Sequence, residues 1–219
     1  MGCGVLDQSG AMNNRRVEAL GDGIFAIAMT LLVLELHVPP LPATASVADL
    51  ARELLHMWPK FGGYCGSFLI LGVLWIGHHN QFHYIRRVDR RFLWINILFF
   101  MCVGFMPYCT ALLGTFIWNR LAAAIYGVAI IATGTVLYFQ WRYAATHDLL
   151  SEAATPAIVH ATGKRILVGL RGYAIALAVS LLSPPAGLAL YVLIPLFYLR
   201  RGRIDQHLAS RVPGASTEH

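Results

Sequence analysis

The chain has 219 residues, 57% of them hydrophobic and 13% charged, with a mean hydropathy of +0.59 and a formal net charge of +6. Such a composition excludes an ordinary soluble domain and calls for several membrane crossings. The basic residues flank apolar segments instead of forming a patch of their own, so the charge reads as orientation on a membrane and no nucleic-acid partner is expected.

The first apolar segment, about Arg16 to Leu36, is long enough to cross a bilayer at helical rise and stops before Pro39-Pro40. No short apolar core with a small-residue cleavage site precedes it, so it is expected to be retained as a span. It contains an acid, Asp22, and an ionisable group at membrane depth is costly unless paired or turned to a protein interior. Beyond Asp22, the residues Ile27, Leu31 and Leu34 recur at i, i+4 and i+7 and share one stripe. Thr30 lies about 60° from Ile27 around the helix, and Leu32 about 140° from it.

Five further apolar segments follow: about Lys60 to Phe82, Leu93 to Leu113, Ala122 to Tyr143, Lys164 to Leu182, and Ala186 to Leu199. Between the first two, Ser46 is placed to cap a short amphipathic outer helix, or an early start of the second span. Pro107 and Pro195 are expected to kink the third and sixth spans. The four cysteines read as free thiols. Threading the segments alternately puts Arg86, Arg87, Arg90, Arg91, Arg142, Lys164, Arg165 and Arg200 on the side of the N-terminus. Arg52, Lys60 and Arg120 fall on the other side. The positive-inside rule then makes both termini cytoplasmic. Residues 1–15 form a cytoplasmic N-terminus, 16–203 a unit of six transmembrane helices, and 204–219 a polar, disordered cytoplasmic tail.

The run Arg16-Val17-Glu18-Ala19-Leu20-Gly21-Asp22-Gly23-Ile24-Phe25, continued by Thr30-Leu31-Leu32-Val33-Leu34-Glu35, resembles the first helix of the transmembrane protein 175 family. The Trp75-Ile76-Gly77-His78-His79-Asn80 cluster is similar to that family's Trp/His feature at the end of the second span. Leu20 and Gly21 stand where the family usually has Phe and Ser. The resemblance implies a prokaryotic potassium channel in the cell membrane, multi-pass and homotetrameric, with the first helix of each subunit lining the pore. No Thr-Val-Gly-Tyr-Gly filter loop occurs here, so selectivity by carbonyl rings is excluded.

On that basis Ile27, Leu31 and Leu34 become stacked apolar rings that close by dewetting, with Thr30 favouring K⁺. Arg16, Asp22, Trp75, His78 and His79 become a network fastening the first helix to the second. Without the resemblance, an Ile/Leu stripe reads as packing or lipid contact. The expected partners are potassium ions, membrane lipids and further copies of the chain, with no cofactor and no catalysis. His78, His79 and His83 make a weak metal signal, since no Cys or carboxylate ligand stands beside them. The rival functions are a secondary transporter, which should show internal repeats and broken helices, and an integral membrane enzyme.

Overall fold

The computed structural model describes the backbone of residues 6–209 and the side chains of residues 14–197. Seven α-helices make up the described chain: α1 (Leu6–Leu31), α2 (Val47–His56), α3 (Trp58–Tyr84), α4 (Arg90–Thr115), α5 (Arg120–Thr146), α6 (Pro156–Leu182) and α7 (Pro184–Ala209). A 3-10 turn, Leu32–Glu35, closes α1. The stretches Asn14–Glu35, Trp58–Tyr84, Arg90–Thr115, Arg120–Thr146 and Pro156–Leu182 are long and apolar enough to cross a membrane, and α7 holds a shorter apolar stretch, Pro184–Phe197. The protein is an all-helical membrane protein.

Local chemistry sets the boundaries. Asp49 N–H donates to Ser46 Oγ (3.2 Å), so α2 starts as a capped helix of its own. It cannot run on into α3, because Pro59 lacks the N–H that continuation requires. Asn119 and Thr155 cap α5 and α6 in the same manner. Three expected boundaries are corrected. Helix α1 begins at Leu6, ahead of Arg16, and α6 begins at Pro156, ahead of Lys164. Helix α7 runs to Ala209, so residues 204–209 of the expected disordered tail are helical, while 210–219 lie outside the described residues. Hydropathy finds the part of a helix inside the bilayer and misses polar turns beyond it.

Helices α4, α5, α6 and α7 pack in sequence as antiparallel neighbours, and α1 lies against α3 and α4. Phe25, Leu32, Ile70, Leu71, Phe99 and Val103 meet in the core, with Tyr126 and Ile130 from α5. Three hydroxyls inside it pair with one another, whereas Gln81 Oε1 and both amide atoms of the fully buried Gln140 have no partner among the described residues. The Ser67 and Tyr126 hydroxyls lie 2.8 Å apart, and Thr110 Oγ1 lies 2.8 Å from Ser67 Oγ, which joins α3, α4 and α5.

A second apolar cluster, with Val17, Phe82, Ile85 and Phe92, sits at the arginine-rich end. There the α3–α4 and α5–α6 loops are strapped together. Arg86 N–H donates to Leu149 O (2.8 Å), Ser151 N–H to Tyr84 O (2.8 Å), and Ile85 and Leu150 form a β-bridge. Asn14 Nδ2 donates to Ile85 O (2.7 Å), which ties α1 to the same strap.

Asp89 completes that end. Its carboxylate accepts from Phe92 N–H (2.7 Å), which caps α4, and from the Tyr143 hydroxyl (2.8 Å) on α5. Desolvation works against its charge, but these bonds and one from Arg91 N–H outweigh it and hold the pKa below the usual carboxylate value. A depressed folded pKa gives stability that is present above the unfolded value, roughly 3.9, and is lost as pH falls through the folded one. Asp89→Ala should cost on the order of 1 kcal/mol in a thermal or denaturant melt at neutral pH, and the gap from wild type should close in strong acid.

Candidate pore helix and its polar attachment

Helix α1 has two faces. Val17, Gly21, Phe25, Ala28 and Leu32 are buried against α3 and α4. On another side Ile27, Leu31 and Leu34 are 60%, 42% and 64% exposed, with Leu20 beside them at 54%. A row of exposed aliphatic side chains on one helix is a surface for lipid or for other copies of the chain. The 3-10 turn changes its geometry, because at three residues per turn positions three apart line up, which brings residue 34 into line with residue 31. Thr30 is exposed next to this row. Its hydroxyl donates to Ile27 O (2.9 Å), which commits the proton to the backbone and leaves the oxygen lone pairs outward.

Two polar rungs attach α1 to α3. Trp75 Nε1 donates to Asp22 Oδ1 (2.8 Å), and His79 Nδ1 pairs with Glu18 Oε1 (3.1 Å). Glu18 and Asp22 are one turn apart on α1, and Trp75 and His79 one turn apart on α3, so the antiparallel helices match rung to rung. The Trp75 and His79 rings stack at 5.7 Å between centroids and 23° between planes, which fixes both donors toward α1.

His78 points the other way, into the protein. Its Nε2 donates to Asn96 Oδ1 (2.9 Å) on α4, and its ring stacks on Phe99 at 5.2 Å and 6°. Phe25, Phe82 and Phe100 close the box around it. Gly21 is the reason that box can press against α1. A Cβ there would lie 3.0 Å from Phe100 Cζ and 3.1 Å from His78 Cε1, so the aromatic rings fill the space a side chain would take.

Of the donors anticipated for Asp22, Trp75 reaches it, His78 is committed to Asn96, and His79 to Glu18. Arg16 is exposed and has no hydrogen bond or ion pair with Asp22 among the described residues. Sequence reasoning missed Glu18 and Asn96. Both carried a signal: Glu18 shares the Asp22 face one turn away, and Asn96 is a polar residue set in the apolar run Leu93-Trp94-Ile95 and Ile97-Leu98. The three histidines do not converge, and no group of three or more His, Cys, Asp or Glu among the described residues could hold a metal ion.

Comparison with known proteins places this arrangement. Residues 16–107, which span α1 from Arg16 onward, α2, α3 and α4 as far as Pro107, match the family described as the endosomal/lysosomal potassium channel TMEM175. A potassium channel of Streptomyces collinus is 35% identical over 190 residues, covering 84% of this chain and 90% of that one. A potassium channel of Chamaesiphon minutus is 38% identical over 172 residues, covering 77% and 84%. The mouse endosomal/lysosomal proton channel TMEM175 is 30% identical over 162 residues, which are 70% of this chain and 32% of the mouse protein. The crystal structure of a lysosomal potassium-selective channel TMEM175 homolog from Chamaesiphon minutus superposes with a TM-score of 0.77 at 32% identity, over 87% of this chain and 98% of that one. With its signature helix matched and nine-tenths of a bacterial relative covered at such identity, the chain belongs to the TMEM175 family of ion channels.

Proposed function

We propose that four copies of the chain assemble around α1 into a potassium-preferring cation channel of the cell membrane. The observation that carries this reading is the exposed row Ile27, Leu31 and Leu34 on a helix whose opposite face is buried and whose polar residues Glu18 and Asp22 are attached to α3. Four such rows around an axis form apolar rings about one helical turn apart, where an ion loses water and gains no ligand. Thr30 sets its hydroxyl oxygen beside the rings, so a partly dehydrated cation finds an acceptor there, which favours K⁺ as the more easily dehydrated ion. Asp22, Trp75, His78 and His79 hold the wall in place, and Arg16 stands at the inner mouth.

The bacterial relatives described as potassium channels support the choice of ion, and their coverage supports a single six-helix unit. In this reading α7 is the sixth span from Pro184, both termini are cytoplasmic, and the arginine-rich strap lies on the cytoplasmic side. Cysteines placed at Ser46 and at Glu152 in a cysteine-free background should label from opposite faces of sealed vesicles. Labelling from one face would overturn the topology.

The deciding experiment is reconstitution of purified protein in a planar bilayer. Unitary current steps with a reversal potential near that of K⁺ are expected, together with a cross-linked band at four times the monomer mass. Slow saturable flux without steps would mean a transporter, and a reversal potential following the proton gradient would mean a proton channel.

A further inference from the structure

A cleft of about 180 Å³ opens between α3, α5 and α6, on a side of the subunit distinct from the exposed row of α1. Its walls are apolar, with Ile70 and Val73 from α3, Leu137 from α5 and Ile166 from α6. Gly77, Gly134 and Gly169 line it too, and the Leu137 and Leu170 side chains press against the first two, which lets the three helices approach closely along the cleft. The polar groups are unevenly placed. Asn80, Thr162 and Arg165 line it toward the arginine-rich end, whereas at the deeper end Tyr173 is the one polar side chain among the described residues.

Along α3 the cleft runs from Asn80 to Ile70, about 15 Å at helical rise, or half the hydrocarbon thickness of a bilayer. An apolar slot one leaflet deep, open at the side and headed by a guanidinium, has the form of an acyl chain below a headgroup. Among the described residues the lining holds one cation, Arg165, and no carboxylate, and Lys164 precedes it, so an anion is the matched headgroup. The same end of a second copy carries mainly arginines, which leaves a phosphodiester as the better complement.

We propose that this cleft is a binding site for an anionic phospholipid, with part of one acyl chain between α3, α5 and α6 and the phosphate at Arg165, Asn80 and Thr162. Its assignment to the inner leaflet rests on the topology proposed above. Binding itself does not require that the protein conduct ions.

Delipidated protein in detergent, titrated with phosphatidylglycerol or phosphatidylcholine of identical chains and read by native mass spectrometry, tests the site. One phosphatidylglycerol per subunit should be retained in preference to phosphatidylcholine. Arg165→Gln should weaken that retention about fivefold, the effect of one basic group near a membrane surface. Arg142→Gln removes the same charge at the same end but outside the cleft, and should change nothing. Val73→Trp fills the slot and should reduce retention of both lipids. Ile166→Phe does so from the opposite wall, should Val73→Trp not fold.

Equal retention of the two lipids, equal effects of Arg165→Gln and Arg142→Gln, or retention indifferent to both filling variants would each overturn the proposal. Dissociation of the oligomer by the filling variants would do so as well, by showing that a second copy occupies the cleft. Protein that binds phosphatidylglycerol but passes no current keeps this site and sinks the channel reading. Current without lipid preference does the reverse.

Discussion

Ile27→Asn should raise the current through reconstituted protein, or make it leak at voltages where wild type is silent, with little change in melting temperature. Ile27 is exposed in the subunit, so the amide disturbs no intrasubunit packing. If four copies of residue 27 form the narrowest apolar ring, four amides there keep water in the constriction and lower the barrier to dehydration. Leu32 makes the contrast. It is fully buried on the opposite face, so Leu32→Asn places an unpaired amide in the core and should cost on the order of 2 to 4 kcal/mol of stability. One substitution thus moves conductance and the other moves stability, on residues little more than one turn apart. Should Ile27→Asn leave single-channel conductance unchanged while the protein stays folded, the row is a lipid-facing surface and the pore lies elsewhere.

Asp22→Ala should loosen α1 from α3 and lower thermal stability by about 0.5 to 1.5 kcal/mol, the net worth of a hydrogen bond between exposed partners, with loss of regulated current. The carboxylate accepts from Trp75 Nε1 at 2.8 Å, and its removal strands the indole N–H. Trp75→Phe separates the parts of this effect, because it keeps an aromatic ring against His79 and deletes the donor alone. If the hydrogen bond carries the coupling, the double variant Asp22→Ala/Trp75→Phe should be scarcely worse than either single one. Additive losses in the melts would mean that the two side chains act independently, and the attachment would then rest on Glu18–His79.

Much of the transmembrane architecture was legible because crossing a bilayer imposes its own grammar. A long apolar run with few charges has few alternatives to a spanning helix, and Asp22 inside such a run must find a donor. The matched spacing of Glu18/Asp22 and Trp75/His79 was present in the sequence, yet it acquires meaning only once α1 and α3 are known to be antiparallel neighbours. His78 shows the limit more sharply. Adjacent histidines at the end of a span look equivalent in sequence, but a 100° step around the helix sends one to Glu18 and the other into the Phe25–Phe82–Phe99 box. Gly21 is legible least of all, because the ring edge that excludes its side chain belongs to Phe100, far along the chain. Early starts such as Pro156 escape hydropathy because the first turns of α6 are only moderately apolar, although Thr155-Pro156 spells a helix start.

The fastenings of α1 are unevenly spread along it. Among its described side chains, Asn14, Glu18 and Asp22 make polar contacts to other elements, none of them beyond Asp22, whereas the far half ends in a 3-10 turn held by apolar packing. Mechanically that is a lever with its fulcrum near Asp22. Leu34 stands about 18 Å along the axis from that fulcrum, so a tilt of about 10° carries its side chain sideways by about 3 Å. The same tilt scarcely displaces Gly21. Four levers hinged at the base would therefore dilate most at their tips, and the ring farthest from the fulcrum would open widest.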